Sequence, residues 1–478
     1  MSITILGLGP GNPAHLTREA WQVLQEADEV YLRTRLHPTV TALPSHLVLH
    51  SFDALYEEKT GFAGVYEEIA ARVLTLAERP QGVIYAVPGH PLVGEASVQR
   101  ILALAPQRGL EVRIVEGLSF VEPVLTCLGL DALDGLQLVD ATELAALYHP
   151  PVNPDRPTLV GQLYGRHLAS DVKLTLLNLF PADHPVVLVR GAGTAEEKVT
   201  PLPLCELDRH DEIDHLTTLY LPPLPQASSL ESFQNTIAHL RAPDGCPWDR
   251  EQTHQTLRPT LLEETYEVLT ALDADDMGAL CEELGDLLLQ ILLHAQIAVE
   301  EGDFSLAQVI EKINAKIVRR HPHVFGDVMV SGTDEVLHNW EKIKRKERGE
   351  VGGSMLDDVP PALPALAQAQ SYQRRVAGVG FDWPDVEGVM AKVAEEVTEL
   401  RRASDAAERE KELGDLLFSL VNLARWLGVD AESALRAANA RFARRFAAME
   451  DLCRQRGLHL TDLSLAELDA LWEEVKNR

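Results

Sequence analysis

The first half of the chain alternates two hydrophobic rhythms. Short apolar runs such as ITILGLG, GVIYAVPG, EVRIVEG and PVVLVRGAG read as strands. Between them lie segments such as LTREAWQVLQEAD and GVYEEIAARVLTLAER, where apolar residues return every three or four positions, as an amphipathic helix requires. Strands alternating with helices predict βα units and a parallel sheet. An α/β domain is therefore expected over residues 1–221.

Residues 219–230, LYLPPLPQASSL, are rich in proline and serine and mark a boundary, with 222–230 as a linker. Beyond it the strand signals fade and long segments of helical period take over. A second break, ERGEVGGSMLDDVPPALP at 347–364, divides this half into all-α modules at 231–350 and 363–478, with 351–362 between them. The modules look like copies of each other. Each has a tryptophan in a turn, Trp248 in GCPWD and Trp383 in FDWPD, followed by a helix with an acidic pair. Each then has a helix that starts acidic and turns apolar, CEELGDLLLQILLHA at 281–295 and KELGDLLFSLVNLA at 411–424, whose leucines are expected to face a core. Each closes on a basic string, NAKIVRR at 314–320 and NARFARR at 439–445.

Candidate chemistry sits on the acidic helices. Glu264 and Glu267 lie three residues apart, as do Glu283 and Asp286; Glu396 with Glu399 and Glu412 with Asp415 repeat the arrangement. Residues i and i+3 share a helix face, and short connections make consecutive helices antiparallel neighbours. The two acidic pairs of a module can therefore meet across a helix seam. One such pair alone is ordinarily a solvated face. Here the acids flank apolar runs, recur in both modules and have few basic neighbours within a turn, Lys392 and Lys411 excepted. Oxygen donors without histidine or cysteine suit a hard divalent cation, Mg²⁺ (or Mn²⁺) before Zn²⁺.

Basic and polar residues supply candidates for holding phosphate oxygens: Asn314, Lys316, Arg319 and Arg320 in one module, Lys392, Lys411, Asn439, Arg441, Arg444 and Arg445 in the other. Complementing a helix end is the plainer alternative for these cations. Trp248 and Trp383 either stack on a nucleobase or anchor a helix entrance.

A formal net charge of −30 argues against a nucleic-acid or anionic-membrane surface, while leaving room for polyphosphates bound through metal. Five scattered cysteines without a C-x-x-C fit reduced thiols rather than a disulfide framework. The opening MSITILGLGPG lacks a basic region and is broken by glycines, so it reads poorly as a signal peptide. No stretch approaches a membrane-spanning length. A soluble, cytoplasmic protein is expected.

The stretches RAPDGCPWDREQTHQTLRPTLLEETYEVLTALD, EELGDLLLQILLHAQ, RRHPHVFGD and NWEKIKRKER closely resemble the MazG nucleoside triphosphate pyrophosphohydrolases, helical-bundle enzymes with the signature E-E-x-x-E … E-x-x-D. The resemblance covers about residues 231–478, duplication included. It implies that Glu264, Glu267, Glu283 and Asp286 are the Mg²⁺ ligands of one module, and Glu396, Glu399, Glu412 and Asp415 those of the other. It implies cleavage of a nucleoside triphosphate between the α- and β-phosphates, and a homodimer built through the helical modules. The leading acids Glu263 and Glu395 fall off the ligand face and are candidates for orienting water as a catalytic base or for supporting the site. Neither module shows a decisive defect, and the second is slightly favoured as the active one.

At the N-terminus Gly7, Gly9 and Gly11 follow a first strand, where glycines let a backbone approach a nucleotide-like ligand. The G-x-G-x-G spacing, and Arg33 where an acid would hold a ribose, fit the dinucleotide fingerprint badly. Together with YAVPGHPLVGEASV at 85–98 and VEGLSFVEPVL at 115–125, residues 1–221 resemble the tetrapyrrole (corrin/porphyrin) methylase fold. In that family S-adenosylmethionine lies between two α/β subdomains. The resemblance makes Gly7, Gly9, Gly11, Pro88, Gly89, His90 and Ser119 candidate cofactor contacts; tight βα turns are the plainer role for the glycines. His90 stands where the family often carries an acid, which leaves methyl transfer open. The combination resembles the YabN-type fusions. The alternative function is a tetrapyrrole methyltransferase whose MazG modules regulate or oligomerise, and a cofactor-sensing N-terminal domain is a third class.

Overall fold

A computed structural model describes residues 2–58, 61–348 and 354–477, so that 349–353 of the expected break at 347–364 lie outside the described residues. The chain divides into two compact units, Met1–Glu251 and Gln252–Arg478.

The first unit contains two five-stranded sheets. In the first, β1 (Ser2–Gly7), β2 (Glu29–Leu32), β3 (Val48–Ser51), β4 (Val83–Val87) and β5 (Glu111–Val115) stand in the order β3-β2-β4-β1-β5. All of its pairings are parallel. Its interior strand β1 is apolar on both faces: Ile3 and Ile5 join one cluster with Tyr85 and Val87, while Leu6 joins another with Leu24, Val30 and Ala86. A parallel strand covered on both faces requires such a near-continuous apolar run.

The second sheet departs from the all-parallel expectation. β6 (Gln137–Asp140), β7 (Thr158–Gly161), β8 (Pro185–Arg190), β9 (Lys198–Pro203) and β10 (Thr217–Leu221) stand in the order β6-β7-β10-β8-β9. Only β6 and β7 pair in parallel; the other pairs are antiparallel. The seven residues 191–197 that join β8 to β9 are too few for a parallel crossover, which needs a dozen or more.

Beyond β10 the chain stays with this unit. Leu224 N–H donates to Pro154 O at 2.8 Å. Asp155 accepts from Ser228 N at 2.7 Å, Ser229 N at 3.1 Å and Ser229 Oγ at 2.6 Å, and also from Ser232 Oγ. Ser229 in turn caps the helix Leu230–Arg241.

The second unit is helical. Helix α1 (Arg258–Ala274) is followed by α2 (Met277–Glu301), α3 (Leu306–Arg320) and α4 (Thr333–Arg348). Then come α5 (Ala365–Ala377), α6 (Val386–Arg402), α7 (Ala406–Trp426) and α8 (Ala431–Arg456). Acidic N-caps turn the chain between the paired helices. Asp276 accepts from Gly278 N and Ala279 N at 3.0 Å, and Asp405 accepts from Glu408 N at 2.9 Å; such caps stabilise a helix by about 1 kcal/mol each. With two residues between α1 and α2 and three between α6 and α7, each pair runs antiparallel.

The leucine-rich run of α2 faces a core only in part. Leu292, Leu293, Ala295, Ile297 and Ala298 are buried, whereas Leu284, Leu288 and Ile291 are 49%, 37% and 43% exposed in the single chain. Leu413, Leu417 and Leu420 on α7 are exposed in the same way. Among the described residues no helix is long and apolar enough to cross a membrane.

Candidate functional site

Each helix pair brings its acids together. On α1 and α2 the carboxylate oxygens of Glu264, Glu267 and Glu283 lie within 4.8 Å of one another; on α6 and α7 those of Glu396, Glu412 and Asp415 do the same. Asp286 and Glu399 stand beside these groups. Asp286 acts electrostatically on Glu264 and Glu283, and Glu399 is pushed up by burial and then by Glu396 and Glu412. Burial comes first and neighbouring carboxylates next in raising Glu264 and Glu283 as well. Like charges held this closely favour a cation between them.

The buried oxygens point the same way. Glu396 is 4% exposed and Glu412 8%, and the Oε2 atom of each is buried without a hydrogen-bond partner. A carboxylate in such a place ordinarily finds partners. A divalent cation fits this all-oxygen donor set.

The two modules differ in their countercharges. Lys392 Nζ lies 2.8 Å from Glu396 and 3.1 Å from Glu395, and Lys411 Nζ lies 2.8 Å from Glu412 and 3.5 Å from Asp415. Hydrogen bonds to these carboxylates raise both lysines. In the first module Thr260 and Glu282 occupy the corresponding positions.

The basic strings behave differently too. Arg319 and Arg320 both bond Glu347 on α4 at 2.6 Å, and Arg320 lies over the Trp340 ring at 5.3 Å. These bonds hold Glu347 down at about 2. Asn314, Lys316, Asn439, Arg441, Arg444 and Arg445 are joined to the carboxylates by no hydrogen bond or ion pair among the described residues. Glu263 lies beside Glu264 on α1 and acts on it as a like charge.

Trp248, in the short helix Pro247–Glu251 of the first unit, is 63% exposed. Trp383 lines a cavity of about 240 Å³ in the second unit with Tyr372, Phe381, Lys392, Phe418 and Asn422. Sequence reasoning missed most of this wall. Gln373 donates to Phe418 O at 2.7 Å, and Arg425 bonds Asp382 at 2.6 Å. Gln370, Gln373, Ser419 and Asn422, polar residues on these helices, all prove to be buried.

In the first unit the candidate cofactor residues divide into two groups. Gly9 and Gly89 exchange backbone hydrogen bonds at 3.2 and 2.8 Å, zipping the loop after β1 to the loop after β4. A Cβ on Gly7 would lie 2.6 Å from Gly89 O, so that glycine is required by the close approach. Gly11 takes φ +128°, also in the glycine-favouring region. Pro88, Gly89, His90 and Ser119 line a cavity of about 750 Å³ beyond the carboxyl ends of the strands, where open α/β sheets place ligands. Gly89 leaves room there, because a Cβ on it would meet nothing closer than 3.9 Å. Ser119 Oγ donates to Glu122 at 2.7 Å, and His90 Nδ1 accepts from Leu92 N at 3.0 Å.

Comparison with known proteins accounts for both units. Residues 2–208 match the tetrapyrrole (corrin/porphyrin) methylases, and residues 252–325 and 385–448 match the MazG nucleotide pyrophosphohydrolase domain. The YabN protein of Bacillus subtilis is 42% identical over 99% of this chain and 98% of its own length. The nucleoside triphosphate pyrophosphohydrolase/pyrophosphatase MazG of Thermotoga maritima is 47% identical over 52% of this chain and 95% of its own. The Escherichia coli K12 nucleoside triphosphate pyrophosphohydrolase is 45% identical over 52% of this chain and 98% of its own. Uroporphyrin-III-C-methyltransferase from Thermus thermophilus aligns with 46% of this chain and 91% of its own, at 24% identity and a TM-score of 0.37. The chain belongs to the YabN family of fusions, with an N-terminal tetrapyrrole-methylase-like α/β domain ahead of a MazG-type pyrophosphohydrolase region.

Proposed function

We propose that the helical unit hydrolyses nucleoside triphosphates to the monophosphate and pyrophosphate in the presence of Mg²⁺ or Mn²⁺, with the second module as the main working site. One observation carries the reading: both helix pairs converge their carboxylates, and the second holds two buried oxygens that lack partners. Glu264, Glu267, Glu283 and Asp286 would hold the cation in one module, and Glu396, Glu399, Glu412 and Asp415 in the other. When bound, the ion supplies charge neutralisation at phosphate oxygens and acidifies water.

The chain's own residues do the rest. Trp383, Phe381 and Tyr372 wall an apolar cavity beside Lys392, suited to a nucleobase whose phosphates extend toward the acids. Lys392 and Lys411, already among the carboxylates, are the nearest cations to share with those phosphates. Glu395, held by Lys392 at 3.1 Å, is the acid placed to orient water. The exposed apolar faces of α2 and α7 support association of two copies through the helical modules.

A panel of nucleoside triphosphates, assayed for pyrophosphate with and without Mg²⁺ or Mn²⁺, tests the reading. Release of pyrophosphate only with metal is expected; no cleavage of any triphosphate with metal present would end it. In the first unit, the cavity lined by Pro88, Gly89, His90 and Ser119 is assigned to S-adenosylmethionine, tested by equilibrium dialysis against the labelled compound.

A further inference from the structure

A porphyrin or corrin precursor carries a rim of carboxylates, so a cavity built for one should present unpaired basic groups. The 750 Å³ cavity of the first unit does not. Among the described residues Arg33 is the one lysine or arginine that lines it, and the Arg33 guanidinium lies 3.3 Å from Glu95 in the same wall. Glu95 is 6% exposed. His37 is held neutral, pushed down to about 4 by burial and then by Arg33. Asp53 and Glu57 add negative charge to the lining.

The cluster also has open valences. Arg33 Nε, Glu95 Oε2 and Tyr56 Oη are buried and none is aligned for a hydrogen bond, although Tyr56 lies close enough to Arg33 and Tyr66 to act on both; Arg33 is likewise near enough to Glu95 for attraction without being aligned for a bond. Arg33 Nε only donates, an ionised Glu95 only accepts, and Tyr56 Oη does either. A carboxylate would satisfy Arg33 and Tyr56 but set its charge against Glu95. An ammonium group would satisfy Glu95 and face Arg33. An uncharged group with acceptor and donor side by side satisfies all three. Beside the cluster stands an aromatic wall, with Phe62 5.3 Å from Tyr164 and 6.2 Å from Tyr66, suited to flat apolar contact.

We infer that the Arg33–Tyr56–Glu95 part of this cavity takes, beside the S-adenosylmethionine assigned to it, an uncharged extended peptide residue, which turns its own N–H and C=O to the same side, rather than a polycarboxylate tetrapyrrole. Arg33 and Tyr56 hold the carbonyl oxygen and Glu95 accepts from the N–H. Arg33, Tyr56 and Glu95 are thereby the residues that set ligand charge.

Titration calorimetry of the full-length protein tests this at pH 8, above the range of about 7 to which burial lifts Glu95. The probes are N-acetyl-phenylalanine N-methylamide, N-acetyl-phenylalanine and uroporphyrin. The amide should bind at least about tenfold tighter than the carboxylate of the same skeleton, and uroporphyrin should not displace it. Glu95→Gln leaves Arg33 without its countercharge and should reverse the order of amide and carboxylate. If the unsubstituted protein binds the carboxylate as tightly as the amide, lets uroporphyrin displace it, or binds no amide, the assignment fails whether or not the variant folds.

Discussion

Lys392 reaches Glu396 at 2.8 Å from one helical turn earlier, whereas the residue one turn before Glu264 is Thr260. The second acidic set therefore carries its own countercharge, whereas among the described residues the first has no lysine or arginine paired with it. Removing Lys392 leaves a nearly buried carboxylate uncompensated, which is destabilising, although the lysine's partial exposure reduces the effect. Lys392→Met is expected to lower the stability of the helical unit by about 1–2 kcal/mol in chelator. Millimolar Mg²⁺ should restore most of it, as read by thermal unfolding in the two conditions.

If the second module does most of the hydrolysis, Glu396→Gln with Asp415→Asn lowers pyrophosphate release at least about 100-fold, while Glu264→Gln with Asp286→Asn lowers it less than about threefold. Steady-state assays of the two double variants decide between the modules. The opposite ranking would move the chemistry to the first.

Glu95 gives the first unit a pH dependence. Burial lifts its carboxyl from an ordinary 4.5 to about 7 against the pull of Arg33, so the native state holds this proton more tightly than the unfolded chain. The stabilisation is complete below about 4.5 and is lost as pH rises through about 7. Relative to Glu95→Gln, which does not titrate, the unsubstituted protein should lose on the order of 3 kcal/mol across that window. Urea unfolding of both proteins at pH 5 and pH 8 checks the sign.

The apolar stripe Leu284, Leu288 and Ile291 on α2 is exposed in the single chain. Ile291→Glu places a charge on that stripe away from the acids. If two copies associate there, the variant should shift from dimer to monomer in light scattering at micromolar concentration. An unchanged mass would place the contact elsewhere.

The acidic spacing was readable in the sequence because the i, i+3 rule acts within one helix and a two- or three-residue turn leaves neighbouring helices no choice but to pair. The long-range partners were hidden. Arg33 drew notice only as a missing ribose acid, since Glu95 reaches it from the loop after another strand. The antiparallel half of the second sheet was hidden because β8 reads like any buried strand, and only the length of the following loop shows its direction. The nucleobase-sized cavity escaped because Gln373 and Asn422 look like surface residues until the helices around them are placed.

Asp155 waits for donors that lie more than seventy residues further along, at Ser228, Ser229 and Ser232. A nascent chain that has emerged only as far as β10 still has those serines inside the ribosome. The α/β domain therefore finishes folding only after part of the segment following it has been made. That proline- and serine-rich stretch thus belongs to the domain it follows, and a fragment ended at residue 221 would strip Asp155 of its Ser228, Ser229 and Ser232 donors.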